Sequence, residues 1–220
     1  MRLTLLFDLD GPILDVSRRY HQVYVDTVSQ MGGEPVGFQE YWTAKRRKTS
    51  ERLILSRSDL AQRESEYTRL RLERLEAAEY LARDRIQPGV LDKLRDVGTR
   101  TNLVLVTLRR SREMLTWQLK QLELERLFSV VLCGHDSALP GWTVKCNLVR
   151  AAQISPEKGD CFIGDTETDI LAGRNFGMNT VAVCNGIRDE SFLRALSPTW
   201  LLPSAANLDE NDILNENPVC

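Results

Sequence analysis

The stretch Leu5-Leu6-Phe7-Asp8-Leu9-Asp10-Gly11 constrains what this chain can fold into more than any other. A short apolar run bounded by a turn signal reads as a buried strand. This one ends in two carboxylates one residue apart, with a glycine directly after them. In an α/β sheet, ligands bind in the crevice beyond the carboxyl ends of the strands. Two carboxylates there carry a desolvation cost and repel each other, so they point to a cation or to chemistry that uses both. The alternative is a polar strand end that simply meets water, and the rest of the chain decides between the two.

Residues 1–15 read as strand one and a turn. Residues 16–86 carry almost no strand signal and are rich in Arg, Glu, Leu and Gln. Within them, Arg63 to Arg83 has neither Gly nor Pro, and Tyr67, Leu70, Ala77, Ala78 and Leu81 fall near helical spacing, with Leu72 and Leu75 widening the stripe. From Pro88 onward, strand and helix signals alternate. Pro88-Gly89 opens a helix through Val90, Leu91, Leu94 and Val97 that stops near Gly98. Strands are expected at Asn102–Leu108, Phe128–Cys133, Asp160–Gly164, Asn179–Cys184 and Thr199–Leu202. Helices are expected after Ser111, carrying Leu115, Leu119 and Leu122, then over Thr143–Gln153, then following the Asp160–Gly164 strand to about Phe176. This pattern predicts an α/β fold: a Rossmann-like parallel sheet covered by helices, formed by residues 1–15 and 87–220. Residues 16–86 form an all-helical insert. The acidic, polar tail Leu208 to Cys220 is expected to be loosely held.

Bulk properties exclude several classes. A formal net charge of −2 over 220 residues argues against a nucleic-acid footprint. No apolar run approaches the roughly 18 residues needed to span a bilayer, so no membrane role is expected. The N-terminus enters a strand without a basic-then-apolar leader. Of five cysteines, none forms a C-x-x-C pair, and Cys133, Cys161 and Cys184 sit in strand-like runs as expected buried thiols. That usage suits a reducing cytoplasm. With only His21 and His135, a histidine-rich metal centre is not expected.

Three more polar residues fall where a site on that sheet needs them. Thr107 ends a strand, Lys145 lies in the first turn of a later helix, and Asp165 ends the strand Cys161–Gly164, with Asp169 four residues on. The inventory is four carboxylates, a hydroxyl and an ammonium. Carboxylate oxygens suit Mg²⁺, a hard cation that usually also takes substrate phosphate, and the hydroxyl and ammonium can hold the other phosphoryl oxygens.

In order and spacing, Asp8-Leu9-Asp10-Gly11, Thr107, Lys145 and Gly164-Asp165-x-x-x-Asp169 resemble the haloacid dehalogenase-like hydrolase superfamily, in its phosphoglycolate phosphatase-like branch. Pro88-Gly89-Val90 and Gly177 fit as well. The resemblance covers nearly the whole chain and implies that the insert is a mobile helical cap. It implies Asp8 as the nucleophile forming an aspartyl-phosphate, and Asp10 as the group that protonates the leaving oxygen and then activates water. It further implies Mg²⁺ held by Asp8, the main-chain carbonyl of Asp10 and Asp165, with Asp169 in support, and Thr107 and Lys145 gripping the phosphoryl group. Dehalogenating members lack an acid at the position of Asp10, so the resemblance favours phosphoryl transfer from a small phosphorylated metabolite. Two departures stand out: Pro12 follows the glycine, and Leu108-Arg109 follows Thr107, where relatives more often carry a small residue and Asn. A phosphomutase on the same core is the rival reading. A phospho-acceptor receiver domain and a non-catalytic binding module fit less well, because the first lacks the insert and the late acid pair and the second would have lost catalytic groups.

Other residues keep two readings. Lys45-Arg46-Arg47-Lys48 is either a solvated helix face or a set of cations that meet an anionic substrate group, such as a carboxylate. Arg109 either reaches the substrate or sits in solvent. Asp15, His21, Trp42, Trp117 and Trp142 read as structural.

Overall fold

A computed structural model of the chain describes residues 2–209. In chain order its elements are β1 Thr4–Phe7, β2 Leu14–Asp15, α1 Ser17–Gln30, α2 Phe38–Arg46, α3 Glu51–Leu55, α4 Glu64–Arg74, α5 Ala78–Leu81 and β3 Arg85–Ile86. There follow α6 Val90–Gly98, β4 Asn102–Thr107, α7 Arg112–Gln121, β5 Val130–Cys133, α8 Gly141–Ala151, β6 Cys161–Gly164, α9 Glu167–Asn175, β7 Asn179–Val183, α10 Glu190–Ala195 and β8 Trp200–Leu202. By its contacts the chain divides into Met1–Asp15 with Ile86–Cys220, and Val16–Arg85.

The first unit is built on a six-stranded sheet in the order β5-β4-β1-β6-β7-β8, with every described pairing parallel. Parallel strands need crossovers, and the alternation of strand and helix from Val90 onward supplies them. The β1 strand is flanked on both sides, with Phe7 level with Leu105 of β4 and with Ile163 of β6. The chain runs outward through β4 and β5, then crosses to the other half at β6, which makes the β1/β6 boundary the topological switch point. On one face, Leu6, Val104, Val106 and Phe162 pack with Cys146 and Val149 of α8 and Ala172 of α9. Their neighbours Leu5, Phe7, Leu103, Leu105 and Ile163 are buried too. Burial on both faces is why these strands read as continuous apolar runs without alternation.

The second unit is helical and has its own core of Tyr24, Val28, Tyr41, Ile54, Leu55, Tyr67 and Leu70. Tyr24 and Tyr41 stack with ring centroids 4.5 Å apart. Trp42 packs on this cluster, and His21, close to the rings of Phe38, Tyr24 and Tyr41 and within 3.2 Å of the Val36 carbonyl, serves the same packing.

Several expectations need correction. The stretch Arg63 to Arg83 is not one helix: it breaks at Ala77, whose backbone is extended (φ −75°, ψ 148°). Neither Gly nor Pro marks that break. The turn lets Tyr80 and Leu81 bury and brings the Tyr80 hydroxyl to the Asp26 carboxylate at 3.0 Å, so packing overrides local propensity. The α10 helix, capped by Asp189 through the Phe192 N–H, was not expected. Lys145 is the fifth residue of α8, in its second turn, because the helix starts two residues earlier than its sequence signal. Cys133 and Cys184 are half-buried and Cys146 is fully buried; Cys133 ends the edge strand β5, which has a neighbour on one side only. The tail beyond Asp209, including Cys220, lies outside the described residues.

Candidate active site

Asp8, Thr107 and Asp165 sit at the carboxyl ends of β1, β4 and β6, three neighbouring strands. The register fixes their proximity: Phe7 is level with Leu105 and Ile163, so the chain passes Asp8, Thr107 and Asp165 within one or two residues of the same height. Strands about 4.8 Å apart then bring their ends within reach of one ligand. Lys145 comes in from α8, and Asp169 from the first turn of α9.

These groups meet. Lys145 Nζ lies 3.0 Å from Asp8 Oδ1 and 2.5 Å from Asp169 Oδ1. The Asp169 carboxylate also caps its own helix, accepting from Thr166 N at 3.1 Å and Thr166 Oγ1 at 2.8 Å. Asp165 Oδ2 accepts the Ile187 N–H, while Asp165 Oδ1 is buried and, among the described residues, has no hydrogen-bond partner. Asp8, Asp165 and Asp169 each offer a carboxylate oxygen, and those atoms lie within 4.8 Å of one another. Thr107 is buried as well.

Two glycines make room for this. Gly11 (φ +112°) and Gly186 flank Asp165 so closely that a Cβ at either position would overlap its carboxylate. Gly11 was visible in the opening motif. Gly186 was not singled out, although the Asn185-Gly186 dipeptide after β7 is a turn signal.

The electrostatics carry a signature of incomplete compensation. Burial pushes the Asp8 carboxyl up to about 7; Lys145 opposes that shift, and the charges of Asp169 and Asp10 add to it. Burial, then Asp169 and Asp8, likewise push Asp165 well above the usual carboxylate range. Burial works against the Lys145 ammonium, but Asp169 and Asp8 outweigh it and raise its pKa. With all three acids ionised against one ammonium, two negative charges would stand in a site shielded from water, and the raised pKa values are the response to that excess. A divalent cation matches that excess, and the partnerless Asp165 Oδ1 supplies an oxygen for it. The donor set is all oxygen, which suits Mg²⁺.

The Asp10 carboxylate turns away from this cluster to Arg109. Arg109 Nε lies 2.9 Å from Asp10 Oδ2 and Arg109 Nη2 lies 2.6 Å from Asp10 Oδ1, a two-toothed pair. Arg109 also donates to Gln118 Oε1 at 3.2 Å and is 4% exposed, so the solvent reading of this residue is wrong. Sequence reasoning named Arg109 without finding its partner, which only the side-by-side placement of β1 and β4 discloses. Lys45, Arg46, Arg47 and Lys48 belong to the helical unit. There Lys45 pairs with Glu51 at 2.6 Å, Arg46 is half-buried, and Arg47 and Lys48 are exposed.

Residues 5–183 match the family model described as haloacid dehalogenase-like hydrolase. The chain belongs to that family. It is 28% identical over 204 residues to the phosphoglycolate phosphatase of Synechococcus elongatus, covering 93% of this chain and 94% of that one. It is 25% identical over 222 residues to the pyrophosphatase PpaX of Halalkalibacterium halodurans, covering 93% and 94%. Among solved structures, a haloacid dehalogenase-like family hydrolase from Streptococcus pneumoniae superposes with a TM-score of 0.71 at 19% identity, over 93% of this chain and 95% of that one. The chain is thus an enzyme, a family hydrolase whose full-length curated relatives are named for phosphatase and pyrophosphatase activity.

Proposed function

We propose that the chain is a Mg²⁺-dependent phosphatase that hydrolyses a small phosphorylated metabolite through an aspartyl-phosphate at Asp8. The observation that carries this reading is the buried triad Asp8, Asp165 and Asp169 with a single ammonium among them. Such a cluster is costly for the fold alone, and its charge deficit fits a phosphoryl-transfer centre.

Asp8, Asp165 and Asp169, with the main-chain carbonyl of Asp10, would hold Mg²⁺, which when bound screens the phosphoryl oxygens and keeps the acids ionised. Asp8 attacks phosphorus, forming a carboxyl–phosphorus bond as the bond to the leaving oxygen breaks. Asp10 gives that oxygen a proton, then takes one from the water that attacks the phosphorus and frees Asp8. Lys145 has three N–H donors, two of them engaged by Asp8 and Asp169, which leaves one for a phosphoryl oxygen. The Thr107 hydroxyl takes another. The helical unit governs which metabolite is accepted and supplies no group to the chemical step. The four described cysteines are free thiols, which suits a cytoplasmic setting.

The test is a panel of phosphorylated metabolites, including phosphoglycolate, pyrophosphate and a hexose phosphate, assayed with Mg²⁺ and with chelator. Phosphate release that vanishes with chelator and returns with Mg²⁺ is expected. Full release in metal-free buffer contradicts the reading. Isomerised sugar phosphate without released phosphate would assign a phosphomutase instead.

A further inference from the structure

We infer that Arg109 is a positioning residue for the proposed reaction: its guanidinium fork, steadied by Gln118, fixes the orientation of the Asp10 carboxylate. This rests on the phosphatase reading of the site.

The two nitrogens of Arg109 meet the two oxygens of Asp10 at 2.9 and 2.6 Å, so the pair fixes the plane of the carboxylate as well as its position. Gln118 Oε1, from α7, accepts from the same guanidinium at 3.2 Å and is itself buried. The arrangement follows from the sheet. Asp10 lies three residues past Phe7 on β1, and Arg109 four residues past Leu105 on β4, and Phe7 and Leu105 are level in the register. A buried arginine is a costly way to stabilise a fold, since apolar residues of similar volume usually serve as well. Its return lies in direction: a proton donor misplaced by about 1 Å can cost about 100-fold in rate. The contact also gives Arg109 a role distinct from binding the substrate, because both of the paired nitrogens face the protein's own carboxylate.

The experiment is a double-mutant cycle on full-length protein, using whichever metabolite of the panel releases phosphate fastest. Arg109→Met should lower kcat by about 100-fold with KM changed less than about threefold, because the loss falls on a proton transfer made in the transition state. In an Asp10→Asn background, the same substitution should change kcat by less than about threefold, since the carboxylate through which it is inferred to act is already gone. Arg109→Lys keeps the charge but not the fork and should fall between wild type and Arg109→Met. If Arg109→Met fails to melt cooperatively, Arg109→Lys carries the same comparison in both backgrounds. A KM raised more than about tenfold with kcat retained would make Arg109 a substrate contact and overturn the inference. So would an equal loss in both backgrounds. A wild type without phosphate release on the panel overturns the phosphatase reading, and this inference with it; an active wild type indifferent to Arg109 overturns the inference alone.

Discussion

Two sites in the molecule bury charge in different ways. In the helical unit, Arg19 meets Asp84 at 3.0 Å with neither side chain exposed, and Arg19 also donates to the Leu75 carbonyl at 3.1 Å. That pair sets a cation directly against an anion. In the sheet unit, three acids share one ammonium, Asp165 keeps a buried oxygen that has no partner among the described residues, and Asp8 is pushed up to about 7. The difference separates a charge buried for structure from a charge cluster held ready for a ligand. Burial alone does not mark a functional site; burial with a residual charge does.

The comparison breaks first on activity. Asp165→Asn should lower turnover by at least about 1,000-fold, some 4 kcal/mol in the barrier, while leaving the melting temperature in chelator equal to or above that of wild type. An active Asp165→Asn enzyme would show that the residual charge serves nothing. The Arg19–Asp84 pair should respond in the reverse sense. Arg19→Met alone should lower stability by about 3–5 kcal/mol in denaturant unfolding, and Arg19→Met with Asp84→Leu should recover most of the loss. A single substitution without cost would mean that the pair is not what holds that end of the helical unit together.

A smaller effect sharpens the contrast through pH. Without metal, folded Asp8 keeps its proton up to about 7, whereas the unfolded chain releases it near the ordinary value of about 4. Across that window the folded state binds more protons, so the stability associated with protonated Asp8 is lost as pH rises from about 4 through about 7. Asp8→Asn removes the titration. In chelator, the melting temperature of wild type should therefore fall relative to Asp8→Asn by about 5 °C between pH 4.5 and 8. Mg²⁺ should shrink that difference. Parallel curves in chelator would show that burial does not strain Asp8.

The structure splits the Lys45–Lys48 run, and so the smallest effect is expected there. Lys45 is already paired with Glu51, whereas Arg47 is exposed at the end of α2. Arg47→Gln should lower kcat/KM about three- to tenfold for the physiological metabolite, and less than about twofold for an aryl phosphate without an anionic tail. Equal change on both substrates, or on neither, would make the run a solvated face.

Much of this was legible in the residues, for identifiable reasons. A strand buried on both faces writes itself as Leu5-Leu6-Phe7, and acids that end such a strand are conspicuous because burial penalises them. Thr107, Lys145, Asp165 and Asp169 could be placed because each follows its own strand or opens its own helix. What stayed hidden depends on neighbours distant in sequence. The break at Ala77 has no local signal; it follows from where Tyr80 finds Asp26. Arg109 and Asp10 are 99 residues apart and meet only because β4 lies beside β1. The half-exposure of Cys133 depends on β5 being an edge, which strand order decides and an apolar run does not.

The most direct test of the central claim, that Asp8 carries the phosphoryl group, is chemical trapping. Enzyme turning over substrate with Mg²⁺ is quenched, reduced with borohydride, digested and sequenced by mass spectrometry. An aspartyl-phosphate is an activated ester-like group and reduces to homoserine, whereas a free carboxylate does not react. The account predicts homoserine at position 8, absent when chelator replaces Mg²⁺. Sustained turnover with Asp8 unmodified, or with homoserine at Asp10, Asp165 or Asp169 instead, would contradict it.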